Sequence, residues 1–507
     1  MVHLVLRGQI PVLGSFAGED VFQSMSTEGS EDDGEPTNHG TGSKDRFAVH
    51  NWIIPWFKSV AILSGMHIRV FVPFFGCLVV GLAAGGCQIA PAGPRETQVA
   101  SASHVSRVTQ AVPHGRIEDH DGLQVLRLWG TPVERGRAHA ALLGPEIVAM
   151  GRGELAARFT KKKDLLKRAR RALPAIVKFP KDVRAEIKAL FQGLQDSGTD
   201  MRMPVFGREM DLLDLEMINA MDILAMMGCS GITLWDEQVE GGGVLTGRNF
   251  DWRLTGPYMV DRCMLLVQHP HEGKAFASVA WPGYVGVVTG VNEDGIAIFL
   301  HVGNSGGKAL PLPGSMPTAM AARETLRDTD VSDAYEAAGE FLRETSAPRG
   351  YLTRVVLPTS AEGQPARVFE VDRSKVTWRS AAPHCVVTNH FLSRQNGLKI
   401  SADSRQRRQS LLADLQATLQ GGGKATVTDM WRYLRSVDRG IDTARRLKKR
   451  PKRARRSGTL HSLVFRNDPW VFELRIGEFD KALGITAATR SGRHYCLTRA
   501  QIFTPPK

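Results

Sequence analysis

The spacing of apolar residues changes once along this chain, close to residue 228. Upstream, residues 133–150, 161–172 and 183–194 repeat apolar side chains every three or four positions, which predicts amphipathic helices. Residues 212–227 are apolar on almost every side, which predicts a largely buried helix. Downstream, short apolar runs separated by turn residues predict strands. We therefore expect a helical segment to end where a strand-rich segment begins.

The elements expected outside that helical segment fall into groups of strands, then helices, then strands. Strands are expected at residues 123–128, 232–235, 243–248, 263–269, 275–280, 286–291, 296–300, 354–357, 367–371 and 385–388, with a closing hairpin at 460–465 and 470–476. Helices are expected at residues 318–327, 332–344, 404–419 and 428–437. Three glycines, residues 241–243, predict a hairpin turn. This order favours an α+β fold of two antiparallel sheets between helical layers.

The first part of the chain has a different character. Residues 1–65 begin with a polar stretch that has no helix or strand period, and we interpret them as a disordered or untranslated extension. Residues 66–87 carry a basic residue, an apolar run too short for a span of about 20 residues, and small residues before Cys87. This is typical of a secretory signal, with a signal anchor as the alternative. Residues 88–111 then predict a tether.

Charge and cysteine content narrow the function classes. The net charge is +13, concentrated in residues 161–171 and 445–456, and such local patches are more often solvated faces than nucleic-acid sites. No nucleic-acid partner is therefore expected. The six cysteines form no CxxC pair, so neither a metal site nor a cofactor is predicted. The cysteines are Cys77, Cys87, Cys229, Cys263, Cys385 and Cys496.

Cys229, which follows Gly228, carries the candidate chemistry. A thiol is a nucleophile suited to acyl transfer, and it can attack the carbonyl of the preceding residue to give a thioester that water opens. That cut would divide residues 112–228 from residues 229–507. Cys229 would then own a free α-amino group with a pKa of about 7.7–8.0, able to take the thiol proton and return it to a leaving amine.

Three motifs accompany this cysteine in order: Gly228-Cys229, Gly247-Arg-Asn-Phe-Asp-Trp252 and Thr388-Asn389. Together they resemble the N-terminal nucleophile hydrolases, in the penicillin acyltransferase-like branch related to choloylglycine hydrolase. The resemblance runs from residue 123 to the closing hairpin. It implies a four-layer αββα sandwich. It also implies that Asp251 holds the free amine, that Arg248 supports the thiolate, and that Asn389 donates to the oxyanion.

Other site residues follow less directly. Asn304 resembles a second asparagine of the family at a longer offset, and His301 is an alternative pocket residue. Residues 403–408 resemble a family stretch in which an arginine joins the active site, and the sequence does not separate Arg405 from Arg408. Because positions three apart on a strand face opposite ways, Arg248 and Asp251 require a bend near Asn249 to reach one site.

Four functions remain open from sequence. The first is hydrolysis of a linear amide in a small acylated amine, and the second is transfer of that acyl group to another amine. The third is a papain-like hydrolase that uses Cys229 and His390. The fourth is a basic lipoprotein that binds anionic polymers through residues 161–171 and 445–456. The Cys87 motif resembles a bacterial lipoprotein signal, which implies export to the periplasm or a lipid anchor.

The sequence leaves open the acyl group of the substrate and the oligomeric state. It also leaves open whether Cys263, Cys385 and Cys496 form a disulfide. Trp235, Trp252 and Trp281 suggest an apolar pocket, although aromatic residues in strands are more often part of a core.

Overall fold

A computed structural model describes residues 106–224, 227–254, 256–303, 312–347, 350–359, 364–393, 400–450 and 456–506. The predicted extension, the signal segment with Cys87, and Asn304 lie outside these residues. No helix in the described part of the chain is both long enough and apolar enough to cross a membrane.

The larger of the two main sheets has ten strands in the order β1-β2-β3-β8-β9-β10-β11-β12-β13-β14. Its strands are β1 (Ser106–Val112), β2 (Gly115–His120), β3 (Leu123–Gly130), β8 (Met264–Pro270), β9 (Phe276–Ala280), β10 (Thr289–Asn292), β11 (Ala297–Val302), β12 (Tyr351–Val356), β13 (Ala366–Val371) and β14 (Val376–Ser380). All neighbours are antiparallel except β3 and β8, which are parallel. The prediction of a purely antiparallel sheet is wrong at this pair, because residues 131–263, which form helices and two strands of the other sheet, let the chain re-enter in the same direction.

The smaller main sheet has six strands in the order β15-β6-β7-β16-β17-β18, all antiparallel. Its strands are β6 (Met227–Trp235), β7 (Val244–Arg253), β15 (Cys385–Val387), β16 (Ser457–Arg466), β17 (Val471–Ile476) and β18 (Arg493–Cys496). The predicted glycine turn joins β6 to β7, with positive φ at all three glycines. A minor hairpin pairs β4 (Arg202–Met203) with β5 (Arg208–Glu209).

The helices flank these sheets. They are α1 (Pro132–Phe159), α2 (Lys163–Ile176), α3 (Lys181–Asp196), α4 (Leu212–Asn219), α5 (Met221–Leu224), α6 (Tyr258–Asp261), α7 (Thr318–Asp328), α8 (Ala334–Arg343), α9 (Ala402–Leu419), α10 (Val427–Ser436), α11 (Arg439–Lys449), α12 (Ala488–Ser491) and α13 (Arg499–Phe503). Helix α1 is kinked at Leu143, two residues before Pro145.

Three apolar clusters define the layers. One packs α1, α3, α4 and α7 against the outer face of the ten-stranded sheet, for example at Leu266. A second fills the space between the sheets, where Phe299 and Leu463 belong to one cluster. The third packs the outer face of the six-stranded sheet, including Leu234, against α9 and α10 at Leu415. The order helix, sheet, sheet, helix confirms the predicted αββα sandwich.

Several boundaries differ from the sequence prediction. The helix expected over residues 212–227 ends at Leu224, and β6 begins at Met227, so Cys229 lies inside a strand. Strand β1 begins within the stretch expected to be a tether, and β14 and β18 were not predicted. The basic stretch 445–456 begins as helix, because α11 continues to Lys449.

Candidate active site

Cys229 is the third residue of β6, and the register with β7 sets its neighbours. Gly228 pairs with Asp251, Cys229 with Phe250, and Gly231 with Arg248. The Cys229 side chain is fully buried, with 0% exposure. The hairpin formed by β6 and β7 therefore brings Arg248 and Asp251 beside the first residues of β6 through local strand pairing.

The sulfur of Cys229 receives a hydrogen bond from Nη2 of Arg248 at 3.0 Å. The same nitrogen donates to the Leu300 carbonyl at 2.8 Å, and Nη1 donates to Thr289 Oγ1 at 2.6 Å and to the Val288 carbonyl. Burial raises the pKa of the Cys229 thiol, and the positive charge of Arg248 opposes that rise. The guanidinium is thus held in place to stabilise a thiolate.

The backbone of Cys229 is held by Asn389 and Arg407. The Cys229 N–H donates to Oδ1 of Asn389 at 3.1 Å, and Nη1 of Arg407 donates to the Cys229 carbonyl at 2.6 Å. Nη2 of Arg407 also donates to Asn389 Oδ1 at 2.6 Å, and Asn389 Nδ2 donates to the Val302 carbonyl at 2.8 Å. In this structure Asn389 therefore orients the Cys229 backbone, and its role as an oxyanion donor stays a prediction.

Asp251 lies beside the peptide bond that precedes Cys229. Its Oδ1 accepts a hydrogen bond from Thr459 Oγ1 at 2.8 Å. Its Oδ2 is buried with no hydrogen-bond partner among the described residues, and lies 4.0 Å from Nη1 of Arg407. Burial raises the pKa of this carboxyl group to about 6, although Arg407 and Arg439 favour its ionised form. Oδ2 of Asp251 is thus a buried acceptor to which no described residue donates a hydrogen bond.

No bend in β7 is needed to bring Arg248 and Asp251 to Cys229. The pairing of β7 with β6 is unbroken, and the irregularity lies in β16, between Thr459 and His461. Arg248 faces the ten-stranded sheet, whereas Asp251 shares its face with Asn249, whose side chain donates to a carbonyl of α10. The expected bend near Asn249 is therefore wrong, because the two side chains approach Cys229 from opposite faces.

The structure places Arg407 in the cluster, rather than Arg405 or Arg408. Arg405 is exposed, and Arg408 is half-buried near Arg379 and Cys385. Helix α9 turns Ser404, Arg407, Leu411 and Leu415 inward. That spacing of three and four residues was visible in the sequence and could have selected Arg407.

Neither candidate histidine forms a hydrogen bond with the Cys229 sulfur among the described residues. His390 Nδ1 lies 2.8 Å from Ser404 Oγ and 3.2 Å from Thr388 Oγ1, and burial lowers its pKa to about 4. No hydrogen bond joins His390 to Cys229 in the described part of the chain. His301 is fully buried, and burial together with nearby arginines, Arg248 first, lowers its pKa well below the usual value. The papain-like arrangement is therefore not formed.

Two of the three tryptophans singled out from the sequence lie near Cys229. Phe250 packs against Trp252 and Trp281, with ring centroids 5.8 and 5.7 Å away, beside the Cys229 strand. Trp235 instead belongs to the core between the sheets. The four cysteines of the described residues, Cys229, Cys263, Cys385 and Cys496, are all unpaired.

Residues 239–481 match the family model described as acyl-coenzyme A:6-aminopenicillanic acid acyl-transferase. This match confirms the predicted family resemblance. The segment that matches the acyl-transferase family begins after Cys229, and it includes Arg248, Asp251, Asn389 and Arg407.

A curated relative, an uncharacterized protein of Archaeoglobus fulgidus, is 28% identical over 242 residues. The match covers 44% of this chain and 40% of the relative, so the chain spans less than half of the relative's length.

Solved structures similar to this chain include those of three enzymes. The Caenorhabditis elegans ortholog of N-acylethanolamine-hydrolyzing acid amidase is 15% identical, with a TM-score of 0.34, over 53% of this chain and 100% of that chain. A mutant conjugated bile acid hydrolase of Clostridium perfringens is 12% identical, with a TM-score of 0.35, over 53% and 96%. Penicillin V acylase of Agrobacterium tumefaciens is 17% identical, with a TM-score of 0.31, over 49% and 83%.

Proposed function

We propose that this chain is a self-processing cysteine hydrolase of linear amide bonds, which works through a thioester on Cys229. One observation supports the proposal above all others. Within a single residue, the sulfur is bound by Arg248 at 3.0 Å while the backbone nitrogen is bound by Asn389 at 3.1 Å. The nucleophile and the nitrogen that would become its base are both positioned before any cut is made.

Self-processing follows from this arrangement. The thiolate of Cys229 attacks the Gly228 carbonyl carbon, the C–N bond breaks, and the Cys229 nitrogen takes a proton to become an amine. Water then hydrolyses the Gly228 thioester, which releases a carboxylate and the free thiol. The unpartnered Oδ2 of Asp251, next to Gly228, supplies an acceptor for the new ammonium group.

The processed chain would use the same atoms for catalysis. The free amine of Cys229 takes the thiol proton, the sulfur attacks the amide carbonyl of the substrate, and the amine returns the proton to the leaving nitrogen. Water then opens the thioester and releases the acid. Arg248 favours the anionic sulfur throughout, because its charge offsets part of the cost of burying a thiolate.

The uncut chain has a blocked nucleophile. A substrate has no direct route to a side chain with 0% exposure. We therefore expect the precursor to be inactive on small amides, and the cut before Cys229 to open the site. Substrates would be small acylated amines that reach Cys229 only after processing.

Acyl transfer is the second candidate, because the same thioester can be opened by an amine in place of water. The description of the matching family as acyl-transferases supports this variant. The two activities differ only in the acceptor, so adding a primary amine to the assay separates them. Export, with a lipid on Cys87, is proposed from the sequence alone.

Mass spectrometry after denaturing electrophoresis tests the proposal on the wild type and Cys229→Ala. We expect two wild-type fragments separated before Cys229, and one intact Cys229→Ala chain without amidase activity. A His390→Ala variant serves as the control for a papain-like enzyme and should still be processed. An uncut, active wild type would disprove the proposal. Salt-dependent polymer binding that is indifferent to Cys229→Ala would instead support the basic lipoprotein.

A further inference from the structure

Three side chains with metal-binding groups meet at the outer edge of the six-stranded sheet. Glu473 on β17 pairs directly with Cys496 on the edge strand β18, and His494 lies two residues earlier on the same face of β18. His494 Nε2 is 3.1 Å from Glu473 Oε2 and 3.8 Å from Cys496 Sγ. One ligand atom from each of the three lies within 4.8 Å of the others.

These separations fit one small ion. Bonds of about 2.3 Å from zinc to sulfur and about 2.0 Å to nitrogen or oxygen imply ligand atoms about 3.3–3.6 Å apart in a tetrahedral site. The observed 3.1 and 3.8 Å lie on either side of that range. The third separation, between Glu473 and Cys496, is no more than 4.8 Å, so small side-chain movements would bring all three ligand atoms onto one ion.

The ligands are also held by their surroundings. Trp431 on α10 donates its indole N–H to Glu473 Oε2 at 2.5 Å, and its ring meets the His494 ring edge-on, with centroids 5.6 Å apart. Arg475 lies over the same indole, at 4.4 Å. Hydrogen bonds and packing of this kind orient the first ligands and raise metal affinity.

We propose that Glu473, His494 and Cys496 bind a zinc-class divalent ion, with water in the fourth position. A thiolate and an imidazole select such a metal over magnesium or calcium, which prefer oxygen ligands. His494 and Cys496 are exposed, so the ion has an open path from solvent.

The site is separate from Cys229, since β7, β16 and β17 lie between β6 and β18 in the sheet. Its role is to fasten the edge strand β18 to β17. The sequence did not predict it, because Glu473 and His494 are 21 residues apart and only the sheet register brings them together.

Cobalt titration of the full chain tests the site, after removal of metals with EDTA and desalting. We expect one equivalent of Co²⁺ to produce a thiolate-to-cobalt charge-transfer band in the wild type and in Cys263→Ser, the matched thiol control. Cys496→Ser should lose the band. No band in the wild type, or a full band in Cys496→Ser, overturns the proposal.

Competition with Zn²⁺ provides the affinities. We expect His494→Gln and Glu473→Gln each to weaken binding at least tenfold, and Trp431→Phe by about tenfold, in line with the loss of an orienting partner. At the same zinc concentration, the melting temperature of the wild type should also rise more than that of His494→Gln. Equal zinc affinity in the wild type and His494→Gln would contradict the assignment.

Discussion

The side chains of Arg248 and Asp251 lie on opposite faces of the same strand, β7, and both lie next to Cys229. Arg248 donates to the Cys229 sulfur from the side of the ten-stranded sheet, and Asp251 lies beside Gly228 on the side of α9 and α11. The strand carries the two side chains to two different parts of Cys229, the thiol and the peptide bond before it. A straight strand achieves this, because residues three apart alternate in direction.

Replacing Arg248 tests the support of the thiolate. Arg248→Lys keeps the charge but loses the forked contacts to Thr289 and Leu300, and we expect processing to slow by about 100-fold, as for loss of one oriented donor. Arg248→Met should abolish processing. Gel time courses after synthesis measure the rates, with Arg327→Lys as a control outside the site. Normal processing of Arg248→Met would rule out this role.

Replacing Arg407, which the sequence analysis did not select, tests whether its contacts with Cys229 and Asn389 support processing. Arg407→Ala removes the donors to the Cys229 carbonyl and to Asn389, both at 2.6 Å, so we expect processing to slow by about 100-fold. Arg405→Ala, on the exposed side of α9, should match the wild type. Intact-mass time courses compare the three proteins, and equal rates in all of them would refute the assignment.

The raised pKa of Asp251 predicts a pH-dependent stability in the uncut chain. Its folded value of about 6, against 3.8 ordinarily, means that folding favours the protonated form. The cost of an ionised Asp251 therefore appears as the pH rises from about 4 and is complete above about 6. By the linkage relation it reaches about 3 kcal/mol.

Asp251→Asn in the Cys229→Ala background isolates that cost. We expect the added substitution to increase the free energy of unfolding at pH 7–8 and to leave it nearly unchanged at pH 4. Urea titrations of the two proteins at each pH measure the difference. A difference that does not vary with pH would show that Asp251 is not held in this state.

The contacts of Glu186 lead us to expect that the two fragments on either side of the proposed cut stay together after processing. Its buried carboxylate accepts from Arg135 at 3.0 Å, Arg323 at 2.6 Å and Gln268 at 3.1 Å. Glu186 and Arg135 precede the proposed cut, whereas Gln268 and Arg323 follow it. Burial opposes ionisation, but Arg323 and Arg135 outweigh it and lower the Glu186 pKa to about 2. This stabilisation is present above the usual pKa of 4.5 and is lost as the pH falls through about 2.

Glu186→Ala should destabilise the chain by about 3–5 kcal/mol, because it leaves buried arginines unpaired. Asp182→Ala is the matched control on the same helix. Asp182 is 47% exposed, and its pair with Arg327 is expected to contribute less than about 1 kcal/mol. Urea unfolding measures stability, and size-exclusion chromatography shows whether the fragments separate. Equal losses in both variants would contradict the expectation.

Local patterns determined most of the secondary structure and part of the site. The glycine turn fixed the pairing of β6 with β7, so the spacing from Cys229 to Arg248 and Asp251 could be interpreted without distant contacts. Elements with a clear buried face, such as α3 and β13, were predicted within a few residues. Edge strands with mixed exposure, such as β14, were missed, because burial produces the pattern on which prediction depends.

The sequence by itself predicted Cys229 as the nucleophile and its neighbours across one hairpin, since these depend on short-range spacing, and the family resemblance implied the αββα layers. Tertiary structure alone decided which atoms of Cys229 and Asn389 Arg407 contacts, that His390 bonds Ser404 instead, and that β3 lies parallel to β8. These depend on how distant segments pack. Packing fixes the direction of each side chain, and linear spacing does not record that direction.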